Sequence, residues 1–260
     1  MTVVSAAPSV RHAVRRAAEL LRGARFAIAL TGAGISTPSG IPDFRTAGSG
    51  LWERVDPMTV ASLGGFRRDL EAFFGFLRPL AVQIASAEPN AAHRAVARLE
   101  QAGRLKGVIT QNIDRLHQKA GSQQVLEVHG NFRRATCLVC SRQVDGEPLL
   151  DAFVRGGTVP HCAACGGVLK PNVVLFGEVL PRRTYERAEA WCAVADVVLV
   201  IGTSLEVSPV SRLPKAAWDG GARLIIVNRE PTYLDSDAEA VLRDDLIDAM
   251  PQLAAQVLDA

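Results

Sequence analysis

Apolar runs of strand length alternate with segments of helical periodicity towards both ends of this chain. The runs RFAIALT, LKGVITQN, VLEVHG, ADVVLVIGTS and ARLIIVNRE are bounded by turn residues, as buried strands usually are. Helical periodicity is found before and between them, for example in residues 9–23 and 90–103. A parallel sheet needs such crossover helices on its faces. The alternation therefore predicts an α/β fold built on a Rossmann-like parallel sheet.

Four other segments complete this outline of the fold. Residues 69–87 have a helical period that Pro79 is expected to break. Residues 171–178 are predicted to form a further strand. Residues 182–195 and 245–258 are predicted to form two further helices.

Two stretches interrupt the alternation and are assigned to a smaller, inserted lobe. We predict a helical module at residues 47–90 and a four-cysteine zinc module at residues 133–170. The Rossmann-like domain then consists of residues 1–46, 91–132 and 171–260. A chain of 260 residues that is 48% hydrophobic is large enough for this organisation.

The composition argues against several classes of protein. Charged residues make up 22% of the chain, so wholesale disorder is not expected. The formal net charge is only +2, and no clustered basic stripe or membrane-spanning apolar run is present in the sequence. We therefore expect no specific nucleic-acid partner and no membrane partner.

The N-terminal residues bear on location. They lack the order of a signal peptide, a basic segment followed by a long apolar core, and this indicates a cytoplasmic protein. Their arginine content also permits a weak transit-peptide interpretation. Only four lysines occur among 29 cationic residues, a bias that suggests a GC-rich, bacterial genome.

Four of the five cysteines form two C-x-x-C pairs, and they are Cys137, Cys140, Cys162 and Cys165. In a cytosolic chain this spacing predicts one zinc ion bound by all four thiolates. Four protein ligands leave no open coordination position, so the zinc is expected to be structural. A redox-active pair is the alternative, but it would need to start a helix after a strand. The fifth cysteine, Cys192, lies in an apolar stretch and is predicted to be a core residue.

Polar residues follow five of the predicted strands. The carboxyl ends of parallel strands lie at one edge of an open sheet, and ligands bind there. One such group would be a turn or capping residue by default, but five together favour a ligand site. The candidates are Gly32, Ala33, Gly34, Gln111, Asn112, Asp114, His129, Gly130, Gly202, Thr203, Ser204 and Asn228.

The loop GAGISTPSGIPDFR after the first strand has two glycines one residue apart, Gly32 and Gly34. Glycines there let backbone N–H groups approach a pyrophosphate closely, where side chains would obstruct it. Thr37 replaces the third glycine of a dinucleotide fingerprint, and Pro38 follows it. The loop is therefore not expected to lead straight into a closely packed helix.

Together these motifs resemble those of the sirtuins, the NAD-dependent protein deacylases. The matching stretches, in the family's order, are GAGIS-x-x-SGIPDFR, TQNIDRLH, HG, the two C-x-x-C pairs, P-NVVLFGE, GTSLEVSP and IIVN. They extend over residues 25 to about 250. The resemblance implies removal of acyl groups from protein lysines with NAD as co-substrate, which yields nicotinamide and O-acyl-ADP-ribose.

The resemblance also implies which residues bind NAD. Phe44 would shield the reacting face of the nicotinamide ribose and Arg45 would lie near the phosphates. The backbone near Leu246 would meet the adenine, and Asp43 would either fix the loop or contact the nicotinamide. The implied NAD-binding set is Gly32, Ala33, Gly34, Ser36, Asp43, Phe44, Arg45, Gln111, Asn112, Ile113, Asp114, Gly202, Thr203, Ser204, Asn228 and Leu246.

The reaction needs a general base near neutral pH, and histidine has a suitable pKa. The family's HG motif implies that His129 is this base, with Asn112 as a second catalytic residue. His93, like His12, is predicted to be solvated on a helix surface. His117 is predicted to be structural, and His161 either a spare zinc ligand or a group behind the ligands.

Two extended segments, NVVLFGE and SLEVSP, would offer edges to which an extended acyl-lysine peptide could add as a strand. Burial in the sheet core is the alternative interpretation for the apolar residues among them. The implied peptide contacts are Val174, Phe176, Gly177, Glu178 and Glu206.

Sirtuins that remove succinyl and malonyl groups carry a Tyr-x-x-Arg pair that binds the acyl carboxylate. The corresponding positions here are Phe74 and Leu77, and Arg78 comes one position late, a rotation of about 100° on a helix. Phe73, Phe74, Phe76 and Leu77 could line an apolar channel, although part of this set must be helix core. We therefore expect neutral acyl groups, acetyl and longer aliphatic ones, to be preferred to succinyl.

Two other functions stay open from the sequence. Another nucleophile could take the activated ribose, which would make the chain a mono-ADP-ribosyltransferase. A non-catalytic zinc-ribbon protein that binds DNA or a partner would instead have a basic face at residues 133–170. That segment mixes arginines with Asp145, Glu147 and Asp151, which disfavours nucleic acid.

Overall fold

The computed structural model describes residues 8–43 and 55–259. In these ranges, six parallel strands form one sheet and three antiparallel strands form a second, smaller sheet. The large sheet consists of β1 (Ala27–Thr31), β2 (Val108–Thr110), β3 (Val125–Glu127), β7 (Val197–Ile201), β8 (Arg223–Val227) and β9 (Ala240–Leu242), in the order β3-β2-β1-β7-β8-β9. The small sheet consists of β4 (Gly130–Cys137), β5 (Gln143–Asp145) and β6 (Leu169–Val173), in the order β5-β4-β6.

Helices cover the large sheet and build the smaller lobe. The α-helices of the described residues are α1 (Pro8–Gly23), α2 (Pro57–Val60), α3 (Leu63–Arg68), α4 (Leu70–Ser86), α5 (Ala91–Gln101), α6 (Leu116–Lys119), α7 (Glu147–Gly156), α8 (Arg182–Val194), α9 (Leu213–Asp219) and α10 (Leu246–Leu258). None of them is both long and apolar enough to cross a membrane. The predicted α/β fold with an inserted lobe is confirmed.

The central strands are buried on both faces, which is why their sequences are continuous apolar runs rather than alternating ones. Successive side chains of a strand point to opposite faces. Ala27 and Ala29 of β1 therefore pack in a core with α1, α5 and α10, while Ile28 and Leu30 pack in a second core with α8 and α9. Cys192, on α8, belongs to this second core as predicted.

The prediction that Pro79 breaks its helix was wrong, because α4 runs through it from Leu70 to Ser86. A proline inside a helix costs about 3 kcal/mol. Burial of one large apolar side chain contributes about 1.5–3 kcal/mol, and several side chains of α4 are buried. Their packing outweighs the proline; they are Phe73, Phe74, Leu77, Leu80 and Ile84.

The strand predicted at residues 171–178 is shorter than expected and lies in the small sheet. β6 ends at Val173, and its partner is β4, with Lys170 opposite Thr136. The chain then turns at Gly177, which has a positive φ of 84°. The small sheet runs from Gly130 to Val173, three residues beyond the predicted zinc module at each end. The division of the chain into a domain and two modules stays a prediction.

Strand β9 was not predicted from the sequence. It has three residues, which is too short to show a period, and it lies at the edge of the sheet beside β8. The helix predicted at residues 90–103 is confirmed as α5, and Asn90 caps it, because its side chain accepts hydrogen bonds from the N–H groups of Ala92 and His93.

Candidate active site

The carboxyl ends of the large sheet's strands surround one cavity of about 1570 Å³. Pockets for a single drug-sized ligand usually measure about 300–1,000 Å³. The cavity is therefore large enough to hold two molecules next to each other. Its walls come from the strand ends on one side and from α4 and residues 171–180 on the other.

The structure brings most of the predicted site residues together around this cavity. Phe44 and Arg45 lie outside the described residues. The predicted residues that line the cavity are Gly32, Ala33, Gly34, Ser36, Asp43, Gln111, Asn112, Ile113, Asp114, His129, Val174, Phe176, Gly177, Glu178, Gly202, Thr203, Ser204, Glu206 and Asn228.

Two described candidates, Gly130 and Leu246, do not line the cavity; Gly130 begins β4. Leu246 is the first residue of α10, and its side chain packs in the core with Ala249, Met250 and Leu253. These positions follow the helical period that puts them on one buried face. The contact between its backbone and an adenine stays a prediction.

The loop after β1 needs glycine at positions 32 and 34 for a structural reason that the sequence did not reveal. The N–H of Gly34 donates to the carbonyl oxygen of Gly202 at 2.9 Å, so the loops after β1 and β7 touch through their backbones. A Cβ atom on Gly34 would lie 2.9 Å from Gly202 Cα, and one on Gly32 would lie 2.7 Å from Thr203 Cβ. Both distances are too short for real contacts, so the neighbouring loop itself requires glycine at these two positions.

A compact set of hydrogen bonds fixes the polar side chains behind these loops. The hydroxyl of Ser36 donates to Asp114 Oδ2 at 2.7 Å, and the amide nitrogen of Asn112 lies 3.1 Å from the same hydroxyl. Asn112 also donates to the carbonyl oxygen of Gly32 at 3.0 Å. Burial raises the pKa of Asp114, while hydrogen bonds from Leu116 and Ser36 oppose that shift. The loop and the segment after β2 are thus held as one unit.

His93 is not solvated on a helix surface, so that prediction was wrong. It lies fully buried beside the site, with its Nε2 atom 3.4 Å from the hydroxyl of Ser36. Its ring packs edge-on against His117, with 5.0 Å between ring centroids. The amphipathic pattern of α5 hid this, because a histidine is compatible with either face of a helix.

His117 is buried, as its predicted structural role requires. Its Nε2 atom lies 2.9 Å from the hydroxyl of Thr31, at the end of β1. Burial is the main cause that lowers the pKa of His117 to about 3 and that of His93 to about 4. Both rings are therefore neutral at neutral pH.

His129 lies half-buried at the cavity wall. Its Nδ1 atom is 3.0 Å from the carbonyl oxygen of Gln111, to which only an N–H can donate. This bond assigns the proton to Nδ1 and leaves Nε2 as an acceptor. Burial lowers the pKa of His129, against the opposing effect of the Gln111 bond, so the imidazole is neutral at neutral pH. A neutral histidine with an available lone pair can accept a proton from a bound hydroxyl.

Asn228, at the end of β8, has its side chain partly engaged. Its amide nitrogen donates to the carbonyl oxygen of Glu230 at 2.7 Å, which shapes the following turn. Glu178 is engaged similarly, since its carboxylate accepts from the N–H of Leu175 at 2.9 Å. Both residues still line the cavity.

One end of the cavity is apolar and lies along α4. Of the predicted channel residues, Phe73, Phe76 and Leu77 line it, whereas Phe74 packs against Phe153 on the other side of the helix. Sequence reasoning missed three further lining residues, Ile41, Leu80 and Ile84. For Leu80 and Ile84 the signal was the helical period of α4, which the expected break at Pro79 interrupted. Ile41 lies in the loop after β1, where no period could indicate it.

The four paired cysteines form a separate site in the small lobe. Their sulfur atoms lie within 4.8 Å of one another, with 3.4 Å between those of Cys137 and Cys165. Zinc–sulfur bonds of about 2.3 Å in a tetrahedron need sulfur atoms roughly this close. The site is therefore suited to one structural zinc ion.

A sequence model of the Sir2 family matches residues 32–209, which is more than half of the chain. The NAD-dependent protein deacylase 2 of Archaeoglobus fulgidus is 44% identical over 245 residues, which cover 94% of this chain and 96% of the relative. The NAD-dependent protein deacetylase of Caldivirga maquilingensis is 45% identical over 243 residues, which cover 94% of this chain and 93% of the relative.

Solved structures agree with these matches. One that concerns the mechanism and regulation of Sir2 enzymes has a TM-score of 0.89 at 43% identity and covers 95% of this chain and 98% of its own. A mutant Sir2 homologue in complex with ADP-ribose has a TM-score of 0.87 at 36% identity, with 93% and 95% covered. A Sir2 enzyme bound to a myristoylated histone peptide has a TM-score of 0.81 at 38% identity, with 95% and 97% covered.

We expect the purified protein to contain one zinc ion per chain, and Cys162→Ser to lose most of it. Loss of a structural zinc unfolds small metal-binding modules, so the melting temperature should fall by roughly 5–10 °C. Metal analysis and thermal unfolding measure both effects. Cys192→Ala is the control and should keep its zinc. Full zinc content in Cys162→Ser would contradict the assignment.

Stability should fall as the pH is lowered from about 6.5 towards 4. In this window the unfolded chain protonates His93 and His117 while the folded chain, whose pKa values are lowered to about 4 and about 3, does not. At pH 5 each histidine should cost about 2 kcal/mol of the free energy of unfolding. In His117→Gln, one fewer proton is bound when the chain unfolds in this pH window. The free energy of unfolding of this variant should therefore depend less steeply on pH.

Urea unfolding of both proteins at several pH values measures this difference. Acid also releases zinc, but it does so in both proteins, and the difference in slope isolates the histidine. His12→Gln, at an exposed position on α1, serves as the control. Equal slopes for wild type and His117→Gln would show that protonation of His117 is not linked to unfolding.

Proposed function

This chain belongs to the Sir2 family, and we propose that it is an NAD-dependent protein deacylase whose cavity holds NAD and an acylated lysine next to each other. The reaction removes an acyl group from the lysine and yields nicotinamide and O-acyl-ADP-ribose. NAD is consumed as a co-substrate, and the zinc ion has a structural role.

The observation that carries this function is the meeting of five polar strand ends, one of which bears His129, at one cavity. In open α/β sheets this edge is where nucleotides bind. The apolar end of the cavity, along α4, can hold an aliphatic chain. The polar end, at the strand ends, can hold a dinucleotide. The Sir2 homologue that binds ADP-ribose and the Sir2 enzyme that binds a myristoylated peptide have the same fold.

We assign the pyrophosphate and the riboses of NAD to the loops after β1, β7 and β8. Gly32, Ala33 and Gly34 offer a backbone without large side chains, and Ser204 and Asn228 offer polar atoms on the same side. Backbone N–H groups are the usual partners of phosphates in such loops.

Asn112 and Asp114 are assigned to the nicotinamide ribose and the carboxamide region. Their side chains are fixed by Ser36, so they meet the substrate in one conformation. Fixed polar groups cost little reorganisation when charge develops in a transition state. Asp43 also lines this part of the cavity.

His129 is assigned as the general base that accepts a proton from a ribose hydroxyl. The Gln111 carbonyl holds the ring in the tautomer that leaves Nε2 without a proton. Burial keeps the ring neutral near pH 7, which a base requires.

The acylated peptide is assigned to the cleft between residues 174–178 and Glu206, with its acyl group directed to the apolar end. Arg78 does not line that end, because its guanidinium donates to the carbonyl oxygens of Val154 and Arg155 on α7, each at 3.3 Å. A buried acyl carboxylate would therefore meet apolar side chains, at a cost of several kcal/mol.

Acylated proteins are the substrate class. We propose that the protein has no nucleic-acid or membrane partner. The cytoplasmic, bacterial location expected from the sequence stays a prediction.

His129→Ala should keep the fold and bind NAD but lose turnover by roughly 10²–10⁴-fold, the usual effect of removing a general base. Calorimetric NAD titration and nicotinamide release with an acetyl-lysine peptide separate the two effects. His12→Ala, at an exposed position on α1, is the control and should stay active. If NAD affinity collapses while turnover persists, His129 is a binding residue instead.

Neutral acyl groups should be processed faster than succinyl. The measurement is kcat/KM for acetyl-, octanoyl- and succinyl-lysine versions of one peptide. Leu80→Phe narrows the apolar end and should reduce octanoyl turnover more than acetyl turnover. Val82→Phe, on the exposed side of the same helix, is the matched control. Succinyl as the best substrate would overturn the assignment of the acyl pocket.

Mass analysis of the products tests the reaction class in the same assay. O-acyl-ADP-ribose with free lysine supports deacylation. A protein that carries ADP-ribose and keeps its acyl group would favour mono-ADP-ribosyl transfer.

A further inference from the structure

Lys170 is a buried lysine on β6, only 8% exposed. Its Nζ atom lies 2.9 Å from a carboxylate oxygen of Glu178, 2.9 Å from the carbonyl oxygen of Val173 and 3.2 Å from that of Pro171. An ammonium group has three protons, and these three acceptors can use all of them. Lysine is almost never fully buried unless it is paired, so this arrangement needs a reason.

The bonds of Lys170 and Glu178 close the segment between them into one turn. Glu178 Oε2 accepts from the N–H of Leu175 at 2.9 Å, and the carbonyl oxygen of Leu175 accepts from the N–H of Glu178 at 2.9 Å. Gly177, at the far end of the turn, has a positive φ and faces the cavity. The ion pair thus fixes the backbone of the residues assigned to the peptide.

The same turn is attached to the base and to the helical module. The N–H of Val174 donates to the carbonyl oxygen of His129 at 2.9 Å. Phe176 donates to Ala61 and accepts from Leu63, each at 2.9 Å. The NAD-facing loops are held differently, by backbone bonds among the ends of β1, β7 and β8. A change at Lys170 should therefore reach the peptide side of the cavity and leave the NAD side in place.

We infer that Lys170 and Glu178 are positioning residues, which hold residues 174–177 in the conformation that receives the acylated peptide. The inference rests on the proposed function, because these residues are its proposed peptide contacts. Lys170 does not line the cavity and does not need to touch the acyl-lysine for this role. Glu178 is also a proposed peptide contact, so the single variants of Lys170 carry the test.

A purely stabilising ion pair is the competing explanation, and a double variant separates the two. Removal of one partner leaves a buried charge unpaired, whereas removal of both charges often restores stability. Lys170→Met should lower the melting temperature, and Lys170→Met with Glu178→Gln should recover much of it. The bonds from Nζ to the carbonyl oxygens of Pro171 and Val173 are missing in both variants.

The experiment compares these variants and Lys170→Arg by melting temperature, zinc content, NAD affinity without peptide, and KM for an acetyl-lysine peptide. In Lys170→Met we expect the peptide KM to rise about tenfold or more while NAD affinity stays within about twofold. The double variant should regain stability but not the peptide KM. Lys170→Arg, which keeps the charge and the donors, should stay close to the wild type.

Arg78→Met is the matched control. Arg78 is also a cation bonded to two backbone carbonyls, but it does not line the cavity. Its loss should lower stability and leave the peptide KM unchanged.

A peptide KM within about twofold of the wild type in Lys170→Met would overturn the inference. Recovery of the peptide KM together with stability in the double variant would do the same. A wild-type protein that does not deacylate the peptide would overturn the proposed function, and this inference with it. If the wild-type protein deacylates the peptide but the peptide KM is unchanged in the Lys170 variants, the inference is overturned and the proposed function stands.

Discussion

The site depends on the direct backbone contact between the loops that follow β1 and β7. The N–H of Gly34 meets the carbonyl oxygen of Gly202, and the space between the loops excludes a Cβ atom on Gly32 or Gly34. Because the two strands are neighbours in a parallel sheet, this contact turns two separate strand ends into one continuous wall. The wall then offers backbone groups rather than side chains to a ligand. Alanine at either position would separate the loops and widen the edge where the nucleotide is expected to bind.

Behind this wall, buried polar groups set the position of the side chains that face the cavity. Ser36 joins Asp114, Asn112 and His93, and His117 joins the end of β1. Such groups are costly to bury unless they are paired, and a satisfied cluster has few alternative arrangements. The zinc module makes a similar contribution in the other lobe, because four thiolates on one ion would fix two loops at once. The buried polar cluster and the zinc module thus fix the two lobes on either side of the cavity. The side chains that line the cavity can then differ without a change in these supports.

The fold and the polar half of the site could be predicted from the sequence because both follow from local patterns. Five-residue apolar runs such as Ala27–Thr31 identify buried parallel strands, and topology alone brings the residues after them to one edge. The rest depended on contacts between distant residues. The burial of His93 depends on Ser36 and His117, and the course of α4 through Pro79 depends on packing that no local propensity contains. The formation of β9 and the place of β6 in the small sheet both depend on pairing with strands that are distant in the sequence.

Helix α4 makes different contacts on two of its sides. One side, with Phe76 and Leu80, lines the apolar end of the cavity, and the other, with Phe74 and Arg78, joins the helix to α7. Since neighbouring helical positions point in different directions, substitutions on the first side can accumulate without disturbing the second. Substitutions that reshape the apolar end of the cavity can therefore arise separately from substitutions that weaken the junction between α4 and α7.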